Sequence, residues 1–294
     1  MKNVALLEND VLVLTYYGDL IIGNKSIIIP NVEMFCLTDE KNIIICLFKE
    51  YGNRNRTVKL KVIKLNETDY EIININTLMA NSHIKYLVKL DNNRFITNYE
   101  TNFALWKLNE NYTLEQLSKV SRAELPLQNS LEIKDIFVLN KDIIIPKFSN
   151  SYILHFWKIN EDVTLTNVFN TDLHFQIEAF LKYDNILFIF SYNSIILMNI
   201  NNYQVIKEIE NINQICCMTK LLNGNIILGI GGNEGYDIVE CKFNKITYDL
   251  TKVKLISNAH FTEISKIIEM KNGNIISFRY YDNFIVTWNR KEDM

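Results

Sequence analysis

Met270-Lys271-Asn272-Gly273-Asn274-Ile275-Ile276-Ser277 packs an apolar residue, a polar turn and a β-branched run into eight positions. Asn-Gly supplies the backbone freedom that tight hairpins require, and Ile-Ile continues as a strand, so the stretch reads as two antiparallel strands joined by a short turn. The same unit recurs at residues 6–13, 37–45, 90–96, 139–145, 181–187 and 222–227, giving seven copies. The first apolar residues after the turns are Val11, Ile43, Phe95, Ile143, Ile186, Ile226 and Ile275. The 264 residues from Val11 to Ile275, divided over six intervals, give a mean of 44, the period of a four-stranded propeller blade. Between the turns lie short runs of Ile, Val, Phe and Tyr rather than a 3.6-residue pattern, so the chain reads as almost all β.

Composition agrees. Of 294 residues 48% are hydrophobic, enough for a large core, while only 9 are Gly and 3 Pro. Turns must therefore be made by other residues, and the copies point to Asn, Asp and Lys, with Asn taking the positive-φ positions that Gly would fill. The net charge of −3 excludes a chain-wide pull toward nucleic acid or anionic membrane. The one basic run, Arg54, Arg56, Lys59, Lys61 and Lys64, reads as a solvated strand face. The uncharged stretch 185–206 is broken by Ser191, Tyr192, Asn193 and Ser194 into two short apolar runs, which predicts two buried strands and not a membrane span. Five cysteines without a CxxC pair read as buried free thiols of a reducing, cytoplasmic compartment. Glu8 and Asp10 interrupt any apolar leader.

The last copy carries more. His260 precedes the strand of residues 264–269, Asp282 stands six residues before Trp288, and His260 and Trp288 are 28 apart. This resembles a WD repeat. The resemblance implies a hydrogen-bonded set formed by His260, Ser277, Asp282 and Trp288 that pins a turn to its blade. Partial copies are Glu100 with Trp106 behind His83, Ser151 with Trp157, and Met198 behind His174. It also implies a scaffold role within a multi-subunit assembly.

Catalytic signals are sparse. The four histidines are scattered, Gly229-x-Gly231-Gly232-x-x-Gly235 has neither dinucleotide nor P-loop spacing, and no Cys/His cluster has zinc spacing, so neither cofactor nor metal is expected. Aromatic residues follow the second strand of successive copies: Tyr16, Tyr17, Tyr99, Phe148, Tyr192, Tyr236, and Arg279 with Tyr280 and Tyr281. These are residue types that anchor protein interfaces.

The reading is a single domain over residues 1–294, an all-β seven-bladed propeller closed by pairing of N- and C-terminal strands. In it, residues 2–7 supply the outer strand of the last blade. The expected function is a non-catalytic scaffold that binds a protein or peptide across the aromatic face, with no small-molecule substrate. The competing reading is a propeller enzyme, a hydrolase or lyase with its site at the central channel.

Overall fold

The computed structural model describes residues 3–7, 10–15, 17–23, 27–38, 42–51, 56–78, 86–91, 93–99, 102–120, 133–148, 151–210, 212, 214–231, 234–279 and 285–289. They form seven antiparallel meanders. The first four are β1 (Asn3–Leu7) to β4 (Ile27–Ile29) through β2 (Asp10–Leu14) and β3 (Leu20–Ile22); β5 (Val32–Leu37), β6 (Ile43–Tyr51), β7 (Arg56–Leu65) and β8 (Tyr70–Leu78); β9 (Leu87–Lys89), β10 (Arg94–Tyr99), β11 (Asn102–Leu108) and β12 (Leu114–Val120); and β13 (Ile133–Asn140), β14 (Ile143–Phe148), β15 (Ile153–Ile159) and β16 (Leu165–Asp172). The last three are β17 (Ala179–Tyr183), β18 (Ile186–Phe190), β19 (Ile195–Asn199) and β20 (Val205–Ile209); β21 (Ile215–Lys220), β22 (Ile226–Gly231), β23 (Tyr236–Asn244) and β24 (Asp249–His260); and β25 (Ile264–Glu269), β26 (Ile275–Arg279) and β27 (Ile285–Trp288). This is the seven-bladed β-propeller class that the repeat predicts. The uncharged stretch becomes β18 and β19, as expected.

Two compact units divide the chain, residues 2–172 with four sheets and residues 173–294 with three. Within the first, β1, β5, β9 and β13 lie beside one another in sequence order, and within the second β17, β21 and β25 do the same. The core is therefore a series of inter-sheet layers. Leu12, Leu20 and Ile22 meet Ile44 and Cys46 in one layer, and Ile45, Leu47 and Val62 meet Phe95 and Trp106 in the next. Phe188, Phe190 and Leu197 meet Leu228 and Phe243 in the second unit. A middle strand covered on both faces needs apolar residues at every position, which is why Ile43–Phe48 and Ile195–Met198 are buried without interruption. The outer strand β16 instead alternates between half-buried and exposed positions, as an edge strand with one wet face must.

The N-terminal segment departs from expectation. Asn3–Leu7 pairs with Asp10–Leu14 from Asn3↔Leu14 to Leu7↔Asp10, so it completes the first sheet, and the last sheet has three strands among the described residues.

Asn also makes turns differently from the prediction. Among described non-glycine residues with positive φ, only Asn31, Asp184 and Asn258 are Asn or Asp; Tyr112, Val163, His174, Tyr203 and Tyr248 are the others. In the Asn-Gly turns it is Gly224 and Gly273 that carry φ near 84°. Asn acts chiefly through its side chain: Oδ1 of Asn223, Asn272, Asn199 and Asn140 each accepts the backbone N–H two residues on, at 2.8–3.0 Å. Such a bond replaces a missing ladder partner and needs no unusual φ.

Candidate active site

In a meander, the turn between second and third strands and the connector to the next sheet fall at the same end. In the 173–294 unit the described residues of these segments are 191–194, 210, 212, 214, 234–235 and 261–263. They are held tightly. Ser191 and Ser194 close the first turn through Oγ···Oγ at 3.0 Å and Ser191 N donating to Ser194 O at 3.0 Å. Ile215 N donates to Tyr192 O (3.0 Å) and Gly231 N to Gln214 O (2.8 Å). The glycine run has its explanation here. A Cβ on Gly235 would lie 2.5 Å from the His260 carbonyl oxygen, and one on Gly231 would lie 3.0 Å from the Gln214 side chain. These glycines allow close backbone approach between strands, and they open no helix.

The side chains brought together are Tyr192, Gln214, Cys216, Tyr236 and Glu263. Gln214 Nε2 donates to Tyr236 Oη at 3.5 Å, and Cys216 Sγ donates to Gln214 O at 3.6 Å. Burial, followed by the Cys216, Glu263 and Tyr192 groups nearby, raises the Tyr236 pKa, so the phenol keeps its proton at neutral pH and remains a donor. Burial and then the Glu263 carboxylate push the Cys216 thiol up to about 12, which leaves it protonated and a poor nucleophile. Tyr192 is 54% exposed and Phe261, two residues before Glu263, is 82% exposed. The arrangement offers a carboxylate, a neutral phenol and an amide donor beside the open Tyr192 ring. Such a set can take a proton from water and donate hydrogen bonds to a carbonyl oxygen.

Of the predicted face, Tyr192 and Tyr236 enter this cluster, and Tyr17 is 83% exposed in the other unit. Phe148 is not a face residue: it is 4% exposed and packs with Ile144 and Trp157, edge-on to His155 at 5.7 Å, because the last residue of β14 turns into the layer between sheets. Tyr16, Tyr280, Tyr281 and Asp282 lie outside the described residues, as do the side chains of Tyr99 and Arg279. Gln214, Cys216 and Glu263 were not foreseen, since no local motif marks a residue that simply precedes or opens a first strand. The five cysteines are free, and burial raises the thiol pKa of Cys36 to about 12 and of Cys241 to about 11. Among the described residues no three His, Cys, Asp or Glu side chains group closely enough to hold a metal ion.

The pinning set forms around one hydroxyl. Ser277 Oγ accepts from Trp288 Nε1 at 2.7 Å and is hydrogen-bonded to His260 Nε2 at 2.6 Å, with Ser277 fully buried. In the third sheet Trp106 Nε1 donates to Thr97 Oγ1 at 3.0 Å, whereas the indole N–H of Trp157, in the fourth, is buried without a partner.

No protein-family model and no curated protein matches the sequence. Solved structures do match in fold. The chain superposes on the periplasmic gluconolactonase of Pseudomonas aeruginosa with a TM-score of 0.62 at 9% identity, covering 91% of this chain and 88% of that one. It also superposes on the dihydro-haem d1 dehydrogenase NirN, in complex with DHE, with a TM-score of 0.60 at 11% identity, covering 92% of this chain and 58% of that one. At these identities the likeness shows the fold, a β-propeller. Both neighbours are enzymes, and this corrects the expectation of a non-catalytic scaffold. That expectation rested on the scarcity of catalytic motifs, yet a propeller site is assembled from separate connectors and leaves no contiguous signature.

Proposed function

We propose that the protein is a hydrolase of a small polyhydroxylated ester or lactone, acting at the Tyr192, Gln214, Tyr236 and Glu263 cluster. The observation that carries this reading is the neutral phenol of Tyr236 held beside the Gln214 amide and within the field of the Glu263 carboxylate. Glu263 accepts a proton from water as its oxygen attacks the substrate carbonyl. Tyr236 O–H and the Gln214 amide donate to the carbonyl oxygen as it becomes an oxyanion. Collapse breaks the ester C–O bond, and the proton passes from Glu263 to the leaving alkoxide. Tyr192 and Phe261 give the C–H faces of a sugar-like ring something to stack on, while its hydroxyls meet polar groups below. The fold shared with a gluconolactonase supports the same substrate class.

The test is hydrolysis of a panel of aldonolactones and simple aryl esters, followed by acid release and corrected for spontaneous opening. Turnover of at least one polyhydroxylated lactone, lowered on the order of 10²-fold in Tyr236→Phe, is expected. No rate above background on any lactone contradicts the reading.

We also infer a WD-type ancestry for the sheets. Ser277 bonded to both His260 and Trp288, and Thr97 bonded to Trp106, support it.

A further inference from the structure

A groove of about 920 Å³ lies within the 2–172 unit, between the third and fourth sheets, a volume in the range of small-molecule sites. Its floor is aliphatic: Leu105 and Ile159 belong to the buried layer below, and Leu117 and Val163 are partly exposed beside them. No aromatic ring among the described residues lines it. Its walls carry Lys107 from β11, Lys141 from the β13–β14 turn and Lys158 from β15, all three exposed. None of the three ammonium groups has an ion-pair partner among the described residues, although Glu161 and Asp162 stand at the rim. The Asp162 carboxylate is already engaged, accepting from Thr164 N (3.1 Å) and Thr164 Oγ1 (2.6 Å).

The groove is preformed. Arg94 bridges the two sheets, with Nε donating to Asp91 Oδ2 (2.7 Å) and Nη2 donating to Lys141 O (2.9 Å) and Asp142 Oδ1 (3.3 Å). That network fixes the turn bearing Lys141 and neutralises Asp142, so Lys107, Lys141 and Lys158 outnumber the remaining carboxylates of the lining, Glu161 and Asp162.

We propose that this groove binds an amphipathic anion: an unbranched alkyl chain lying on Leu105, Leu117, Ile159 and Val163, with a carboxylate or phosphate head against Lys107, Lys141 and Lys158. Charge complementarity selects the head. An aliphatic floor without rings selects an alkyl chain over a planar aromatic body, and the methylene stems of the lysines extend the apolar surface along it. The site lies in a different unit from the hydrolase cluster and does not depend on that reading.

Isothermal titration of the full-length protein with decanoate, decyl phosphate, decanol and decylamine, each below its micelle concentration, tests the proposal. Decanoate, decyl phosphate or both should bind, with decanol and decylamine weaker by about tenfold or more. The anion that binds identifies the head group. Lys107→Gln with Lys158→Gln should weaken anion binding by about tenfold while leaving the circular dichroism spectrum and lactone hydrolysis unchanged. Equal binding of all four probes, binding of none, or unchanged affinity in the double variant overturns the proposal. Should that variant fail to fold, Leu117→Asn carries the same expectation for the floor.

Discussion

The third and fourth sheets follow one plan and part at a single position. In both, a Trp on the third strand faces a residue of the second strand across the ladder: Trp106 pairs with Phe95, and Trp157 with Ile144. Two residues further along the second strand stands Thr97 in one sheet and Pro146 in the other. Thr97 offers a hydroxyl to the Trp106 indole, and its sheet keeps six paired positions from Arg94↔Lys107 to Tyr99↔Asn102. Pro146 offers neither a side-chain acceptor nor a backbone donor. The Trp157 indole is left buried and unpaired, and the β14–β15 ladder is confined to Ile143↔Lys158 and Ile144↔Trp157. The seventh sheet repeats the pinned arrangement, with Ser277 two residues beyond Ile275, the partner of Trp288. A buried indole packs whether or not it is bonded; the hydroxyl two residues past its partner decides whether it is also fixed.

The largest effect expected is on the tryptophans themselves. Trp106→Phe removes volume and strands the Thr97 hydroxyl, a loss of about 3 kcal/mol, whereas Trp157→Phe removes a similar volume together with an unsatisfied N–H and should cost about half as much. Chemical denaturation measures both, and equal losses would break the comparison. Next comes Thr97→Val, nearly isosteric, which turns the third sheet into a copy of the fourth by orphaning the indole; a loss of about 2 kcal/mol is expected. The reverse change, Pro146→Thr, supplies an acceptor and a backbone donor. It should raise stability by about 1 kcal/mol after the added flexibility of the unfolded chain, or roughly 2 °C in Tm. A fall in Tm would mean that Pro146 shapes the strand in a way the hydrogen bonds do not capture.

The smallest effect is a pH dependence within the fourth sheet. His155, buried against Phe148 and hydrogen-bonded through Nδ1 to Asn170 Oδ1 at 2.7 Å, has its pKa lowered by burial, with the Asn170 bond opposing. The unfolded chain therefore binds the proton first as pH falls below about 6.5, and stability drops until the folded-state pKa is passed. His155→Asn should flatten this part of the stability curve, and an unchanged slope would assign the dependence to other groups.

Most of the architecture was legible from the sequence because the repeat is written in turns. An apolar residue, a turn containing Asn or Asp, and a following apolar run mark the first hairpin of every sheet, and uninterrupted apolar runs mark strands covered on both faces. A second signal lay unused: Asn109-Glu110-Asn111-Tyr112-Thr113 and Asn160-Glu161-Asp162-Val163-Thr164 build the same turn between third and fourth strands. In each, the residue before Thr takes positive φ and the first Asn N–H reaches the Thr carbonyl at 2.9 Å. Positive φ at Val163, a β-branched residue, is costly and would not be inferred from propensity. The seventh sheet's pin was readable because the interval from His260 to Trp288 resembles that of a WD repeat. The candidate active site was not, since Gln214, Cys216, Tyr236 and Glu263 come from segments up to 50 residues apart that only the stacking of sheets brings together.

The hydrolase reading is tested most directly by Glu263→Gln, which keeps the size and hydrogen-bonding reach of the side chain and removes its basicity. In lactone hydrolysis at neutral pH, kcat should fall on the order of 10²-fold or more, with KM little changed and the melting temperature within about 1 °C of the parent. A Glu263→Gln protein that turns over lactone at the parental rate would contradict the assignment.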